Sequence, residues 1–251
     1  MKLPIRIEFD GDVIEDAELR EMSGADIAEV KKIGQNGDTY SAFLAFAVCC
    51  TKSLGDIEDK ARIREAYKVA TFDTVYAVAV QGMALTRGIT QIEGKYLCKC
   101  GNIIDHTGEF ADPLPEYDSI DNTDVSVDIE KVEITNKKTG ELLISAENIE
   151  MRRPTVDDSI KAFRKFPDDD TEMQFEVYKN CLKSIDGRAI TDKERSAFGD
   201  LLFKKMRLTD LNALSNALVQ DFGKTECVCM KCKRRWKAPL DLTNFFDLEA
   251  E

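Results

Sequence analysis

Two short cysteine clusters, Cys98-Lys-Cys100-Gly101 and Cys227-Val-Cys229-Met-Lys-Cys232, constrain this chain more than any other feature. A structural zinc site closes a tetrahedron with four ligands. Neither cluster supplies four thiolates, so a closed site needs both, and two distant stretches of chain must then meet. Cys229-Met-Lys-Cys232 has the C-x2-C spacing of a metal knuckle. Cys98-Lys-Cys100 is one residue shorter and therefore tighter, and Gly101 tolerates the positive φ that such a turn needs. The leading ligand set is Cys98, Cys100, Cys229 and Cys232 around one structural Zn2+. Cys227 forms a second C-x-C with Cys229 and competes for a place, and His106, the only histidine, is a further alternative ligand. Cys49, Cys50 and Cys181 lie in apolar helical patterns and read as small core residues.

Eight cysteines at short spacings mean metal ligation or buried thiols in a reducing compartment, and disulfides in an oxidising one. The start, Met1-Lys2-Leu3-Pro4-Ile5-Arg6-Ile7, lacks the apolar h-region of a signal peptide, and no apolar run reaches the roughly 18 to 20 residues that cross a bilayer. The expectation is a chain folded in a cytoplasm, with no membrane partner. Its 35 basic and 47 acidic side chains give a net charge of -12, which argues against general binding to nucleic acid or an anionic surface. The local exception is Lys231-Cys-Lys-Arg-Arg-Trp-Lys237. A knuckle with an aromatic among cations binds single strands by charge and stacking, so a zinc-knuckle nucleic-acid binder using Lys231, Lys233, Arg234, Arg235, Trp236 and Lys237 is the rival reading. The same residues also suit a simpler role, with Trp236 packed under the knuckle and its neighbours screening the thiolates.

Catalysis finds little footing. Four thiolates leave no open position for water, and a single histidine builds no His-based metal centre and no usual nucleophile and base pair. There is no G-x-x-x-x-G-K-[ST], G-x-G-x-x-G, G-x-S-x-G or H-E-x-x-H. Acid pairs such as Asp157-Asp158 and the run Asp168-Asp169-Asp170 sit where helix caps and loops need solvation. The expectation is no enzyme and no small-molecule substrate.

The clusters also occupy corresponding places in an internal repeat. At an offset of 131, Asp26 falls on Asp157, Cys50 on Cys181, Phe72 on Phe203 and Cys98 on Cys229. Ile5 to Phe9, the turn Asp10-Gly11, and Asp16 to Met22 predict a β-hairpin. Val132 to Thr135, a turn over Asn136 to Gly140, and Leu142 to Ile144 with Ile149 to Arg152 predict another. Helix starts follow at Ser23-Gly-Ala-Asp26 and at Pro154-Thr155-Val-Asp-Asp158. An apolar helix ending in cysteine comes next in each half, Phe43 to Cys50 and Met173 to Cys181. Helical stretches from Asp59 to Tyr67 and from Asp192 to Phe203 precede a last pair, Asp73 to Thr86 and Asp210 to Gln220, closed by Gly88 and Gly223. The reading is an α+β fold of two related halves, residues 1–115 and 125–251, joined by a linker at 116–124 within the stretch Asp112 to Asp124, whose prolines and acids suit exposure. A length of 251 residues, 43% of them hydrophobic, suits two domains of this size.

The hairpin leading into Arg20-Glu-Met-Ser-Gly-Ala-Asp26, the helices ending in glycine, the knuckles and the segment Leu240-Asp-Leu242 resemble the baseplate hub assembly proteins of contractile-tailed (T-even-like) bacteriophages. The family pattern, an R-x-M/L-T/S-G-A-D segment, helices, a knuckle and a short acidic and apolar strand, is met here twice in outline. The second hairpin departs from it, ending in Met151-Arg-Arg-Pro-Thr155. What the resemblance implies is a non-enzymatic viral tail protein, present in the host cytoplasm during assembly or in the virion tail, whose partners are other tail or baseplate proteins.

Overall fold

A computed structural model describes residues 1–35, 38–88, 91–109, 124–136, 138–218 and 224–239. The linker at 116–123, Gly223, and the stretch from Leu240 onward lie outside the described residues. The fold is α+β: among the described residues, eight helices and eleven strands form small antiparallel sheets. The chain divides into two compact units, Met1–Ile120 with Asp221–Glu251, and Asp121–Gln220. Both cysteine clusters belong to the first.

In the first unit, β1 (Lys2–Phe9) and β2 (Asp12–Leu19) form a hairpin. Asp10 and Gly11 both have positive φ, 55° and 89°, as a two-residue turn that matches strand twist requires. Helices α1 (Gly24–Gly34) and α2 (Thr39–Cys50) follow, then β3 (Thr51–Leu54), which pairs with β2, and α3 (Lys60–Val69) and α4 (Phe72–Arg87). Helix α2 is apolar almost all round and is buried from Leu44 to Cys50, so it forms the centre of the unit. Its β3 end is fixed by a buried relay in which Tyr67 donates to Thr51 Oγ1 at 2.8 Å and Thr51 donates to the Ala47 carbonyl at 2.7 Å. Gly82 lets α4 approach: a Cβ there would lie 2.2 Å from the Cβ of Cys50. The outer edge of β1 is closed by Thr74 of α4, which accepts from Ile5 N at 3.3 Å and donates to Ile5 O at 3.0 Å. Helix α4 ends at Gly88, whose φ of 63° gives the left-handed cap. Two strands, β4 (Gln91–Leu97) and β5 (Ile103–Glu109), then form the hairpin that carries the first cysteine cluster.

The second unit runs through the same order. Strands β6 (Val125–Thr135) and β7 (Leu142–Met151) pair, and α5 (Val156–Lys165), α6 (Asp170–Cys181), β8 (Leu182–Ile185), α7 (Asp192–Lys205) and α8 (Leu208–Leu218) follow, with a two-residue β9 (Arg188–Ala189) after β8. Strand β8 pairs with β7 as β3 pairs with β2. Ile134, Ile149, Met151, Cys181, Leu182, Leu202, Phe203 and Leu214 fill its core. Here Asp210 of α8 accepts from Glu130 N at 3.2 Å, closing the edge of β6 at the same third helical position that Thr74 holds in α4. After the second unit the chain returns to the first, where strands β10 (Lys224–Val228) and β11 (Arg235–Pro239) carry the second cluster.

The two units also repeat one polar device atom for atom. Arg20 donates from Nη1 and Nη2 to Asp26 at 2.9 and 3.1 Å, while Ser23 donates its amide and hydroxyl to the same carboxylate at 2.9 and 2.7 Å. Arg152 donates to Asp158 at 2.5 and 2.9 Å, and Thr155 donates its amide and hydroxyl at 2.9 and 2.7 Å. Each arginine amide bonds the carbonyl of the cysteine ending the second helix, Cys50 or Cys181, at 2.7 and 3.0 Å. A capping box thus fixes the helix start while its carboxylate ties hairpin to helix. The spatial counterpart of Asp26 is Asp158, an offset of 132, whereas the cysteines correspond at 131. One residue is lost between the capping box and the end of the next helix, which is why a single sequence offset placed Asp26 on Asp157.

Candidate metal centre

The site is built by two hairpin ends. In β4 and β5, Leu97 pairs with Ile103 and the chain turns over Cys98 to Asn102. The turn is held by Cys98 N to Asn102 O at 2.9 Å and Gly101 N to Cys98 O at 2.8 Å. In β10 and β11, Val228 pairs with Arg235, and the turn is held by Cys229 N to Arg234 O at 2.9 Å and Lys233 N to Cys229 O at 2.7 Å. The residue after the second cysteine has positive φ in both, 79° at Gly101 and 60° at Lys233. These turns match one another although the first holds one residue fewer.

The structure brings Cys98, Cys100, Cys229 and Cys232 together, with their four Sγ atoms all within 4.8 Å of one another. Two of the separations are hydrogen-bond contacts, 3.5 Å for Cys98 to Cys232 and 3.7 Å for Cys100 to Cys229. A tetrahedron with metal–sulfur bonds of about 2.3 Å has sulfur–sulfur edges of roughly 3.8 Å, so the donor set fits a closed thiolate site. All four are free thiols, Cys98 and Cys229 buried, Cys100 and Cys232 exposed. The Cys229 thiol is held down to about 6, first because the Cys232 amide, and also that of Lys231, donates to its sulfur. The Arg234 amide donates to Cys232, but the contacts of that thiol with Cys98 and its other neighbours push it up to about 11. A cluster in which one thiolate forms readily and the next resists ionisation is one that a cation stabilises.

Asn102 donates from Nδ2 toward Cys229 Sγ at 3.8 Å and so orients a ligand from the opposite hairpin. Sequence reasoning missed this residue, although its place directly after Cys100-Gly101 is a signal of turn chemistry. Cys227 stands apart from the cluster. It lies opposite Trp236 in the strand pair and is fully buried with Tyr96. Trp236 packs against these two, and the Arg234 guanidinium sits 5.7 Å from its ring centroid. Gly94 makes room for Tyr96, since a Cβ there would fall 2.8 Å from the ring. His106 lies opposite Gly94 on β5, and its side chain is outside the described residues. Lys231, Lys233 and Arg235 are exposed on the hairpin that carries the second cluster, and cations there would offset the formal charge of -2 that four thiolates would leave on a dication.

Cys49, Cys50 and Cys181 are buried core thiols, pushed up by burial to about 11, 12 and 12. Cys49 lies near Asp26 and Glu29 in a second grouping with metal-ligand character. There Lys60 reaches Asp26 and Glu29 at 3.4 and 2.9 Å, Arg64 reaches Glu29 at 2.9 Å and Arg20 holds Asp26. Three cations already balance the two carboxylates. No helix among the described residues is long and apolar enough to cross a membrane. The chain matches no family model, no curated protein and no solved structure.

Proposed function

We propose that this chain is a non-enzymatic assembly or structural component of a contractile-phage baseplate hub, a tandem duplication fastened by a structural zinc. The observation that carries the metal reading is the four-sulfur cluster, whose separations suit a thiolate tetrahedron with no position left for water. Zinc is preferred because it takes four thiolates without redox chemistry of its own. The doubled order of elements and the twin Arg–Asp capping device support descent from one ancestral unit. The phage assignment rests on the sequence resemblance, and its partners are then other tail or baseplate proteins met in the host cytoplasm or in the virion tail.

Two measurements test the reading. Metal analysis of protein purified under reducing conditions is expected to give one zinc per chain, and chelation is expected to lower the melting temperature. Four free thiols at the site with no metal, and unchanged melting after Cys98→Ser, would dispose of the staple. Co-expression with the other tail proteins of a host phage is expected to yield a defined complex free of nucleic acid. The rival nucleic-acid reading needs an aromatic platform, yet Trp236 is engaged by Tyr96, Cys227 and Arg234. A steep salt-dependent affinity for RNA or DNA, lost on neutralising Arg234 and Arg235, would reverse that preference.

A further inference from the structure

We propose that the four-cysteine cluster is also an oxidative cross-linking site, at which peroxide forms two disulfides between the hairpins, Cys98 to Cys232 and Cys100 to Cys229. The release of metal in this step rests on the metal-centre reading above; the pairing rests on the sulfur geometry alone.

Three observations select this pairing. First, sulfur–sulfur hydrogen bonds of 3.5 and 3.7 Å both run between hairpins and use each thiol once. Second, pairing within a hairpin is obstructed. Cys98 and Cys100 are separated by one residue in a turn tied by the Gly101 to Cys98 hydrogen bond, and a disulfide demands a specific spacing and torsion that so short a loop strains. Closing Cys229 on Cys232 would leave those two only each other. Third, each cross pair joins one exposed thiol to one buried thiol, Cys232 to Cys98 and Cys100 to Cys229. The exposed member is the one an oxidant reaches first, and the buried member stands within 4 Å to resolve it.

The step balances. The exposed thiolate attacks hydrogen peroxide, breaking its O–O bond, and becomes a sulfenic acid while hydroxide leaves and takes up a proton. The buried partner then attacks the sulfenic sulfur, forming the S–S bond and expelling water. Each pair gives up two electrons to one peroxide and yields two waters, so the cluster consumes two peroxides and surrenders its cation. The other four cysteines are buried and lie outside the cluster. The hairpins stay fastened after the metal has gone, by bonds rather than by coordination.

The sequence makes the pairing readable. Lys95, Lys99, Lys131, Lys224, Lys231 and Lys233 let trypsin place the four cysteines on four separate peptides, 96–99, 100–131, 225–231 and 232–233. The reduced, folded full chain is assayed for metal, treated with hydrogen peroxide, alkylated and digested without reduction. The expected links join 96–99 to 232–233 and 100–131 to 225–231, with fragmentation placing the second on Cys229. Alkylatable thiols should fall from eight to four, and one metal should be released for two peroxides consumed. Cys100→Ser should keep the Cys98 to Cys232 link alone. Links from Cys98 to Cys100 or from Cys229 to Cys232, or sulfinic and sulfonic acids without links, overturn the proposal. The expected links in a protein that carried no metal beforehand would remove the metal reading and leave the pairing standing.

Discussion

Replacing Asp158 by alanine removes the centre of the second unit's polar staple, and the structure sets the size of the effect. The carboxylate is 11% exposed and accepts two hydrogen bonds from Arg152, two from Thr155 and a longer one, at 3.9 Å, from the Cys181 thiol. Loss of the capping box alone costs about 1 kcal/mol. Loss of a buried charged partner costs about 3 to 5 kcal/mol, but Arg152 is 38% exposed and recovers water, which favours the lower figure. The expected total is about 3 to 4 kcal/mol. For a unit of this size each kcal/mol lowers Tm by roughly 4 to 8 °C, so the shift should exceed about 12 °C. Asp26 offers an internal control, because its exposure is 8% and that of Arg20 is 37%, close to the second pair. Asp26→Ala should therefore cost a similar amount, read by urea and thermal denaturation followed by circular dichroism. A loss under about 0.5 kcal/mol at either position would mean a solvated surface pair and would refute the argument. Losses that differ by more than about 1 kcal/mol, the most that the added Lys60 contact to Asp26 supplies, would refute the equivalence of the two devices.

The same pairs set an acid limit: arginine and capping donors hold the Asp26 and Asp158 carboxyls below the usual range against the opposing effect of burial. Depressed folded values mean stability that is complete above the unfolded value of about 3.9 and is lost as pH falls through the folded one. The melting difference between the native chain and Asp158→Asn should be constant above about pH 5 and shrink below about pH 4. Gly101→Ala places a side chain at φ 79°, a strain of about 1 to 2 kcal/mol, and should weaken metal affinity about tenfold in a chelator competition. Lys233→Gly, at φ 60°, should move it the other way by less, because glycine also frees the unfolded chain. Thr74→Val keeps the shape but orphans the buried Ile5 N and O, and should cost about 2 to 4 kcal/mol in denaturant titration, with Thr74→Ser restoring most of it.

Much of this fold was legible in local chemistry. Asp10-Gly11 announced the first hairpin, Ser23 and Thr155 the starts of α1 and α5, and Gly88 the end of α4, because caps and tight turns depend on one or two residues. Strands β3 and β8 were not legible. Thr51-Lys-Ser-Leu54 and Leu182-Lys-Ser-Ile185 follow directly on the helix-ending cysteines and are too short to show a strand pattern, and only pairing with β2 and β7, about thirty residues earlier, makes them strands. The four cysteines that the structure brings together were legible from spacing, since metal chemistry restricts residue type so strongly. The arginine of each staple was missed because it lies outside its helix. Its signal was nevertheless present, as R-x-x-[ST]-x-x-D at Arg20 to Asp26 and again at Arg152 to Asp158.

The placement of the four cysteines bears on what a metal would do in this chain. Each hairpin brings two cysteines and a turn of the same design, so on the duplication reading a single unit alone would close only half of a tetrahedron. Two separate copies would have to meet for the site to form, and its occupancy would follow protein concentration. In the present chain, Cys98 and Cys232 are 134 residues apart, and fastening them removes loop freedom worth about 5 kcal/mol from the unfolded state by the logarithmic closure relation. Both hairpins belong to the first unit, and the second unit, Asp121–Gln220, lies in sequence between the two pairs of cysteines. The cross-link thus joins the chain ahead of the second unit to the chain behind it. On the duplication reading, fusion of the copies converted an intermolecular clasp into an intramolecular one. A chain carrying Cys98→Ser with Cys100→Ser then provides the decisive case. It retains Cys229 and Cys232, should bind no metal as a monomer, and should recover a four-thiolate site only by pairing with a second copy.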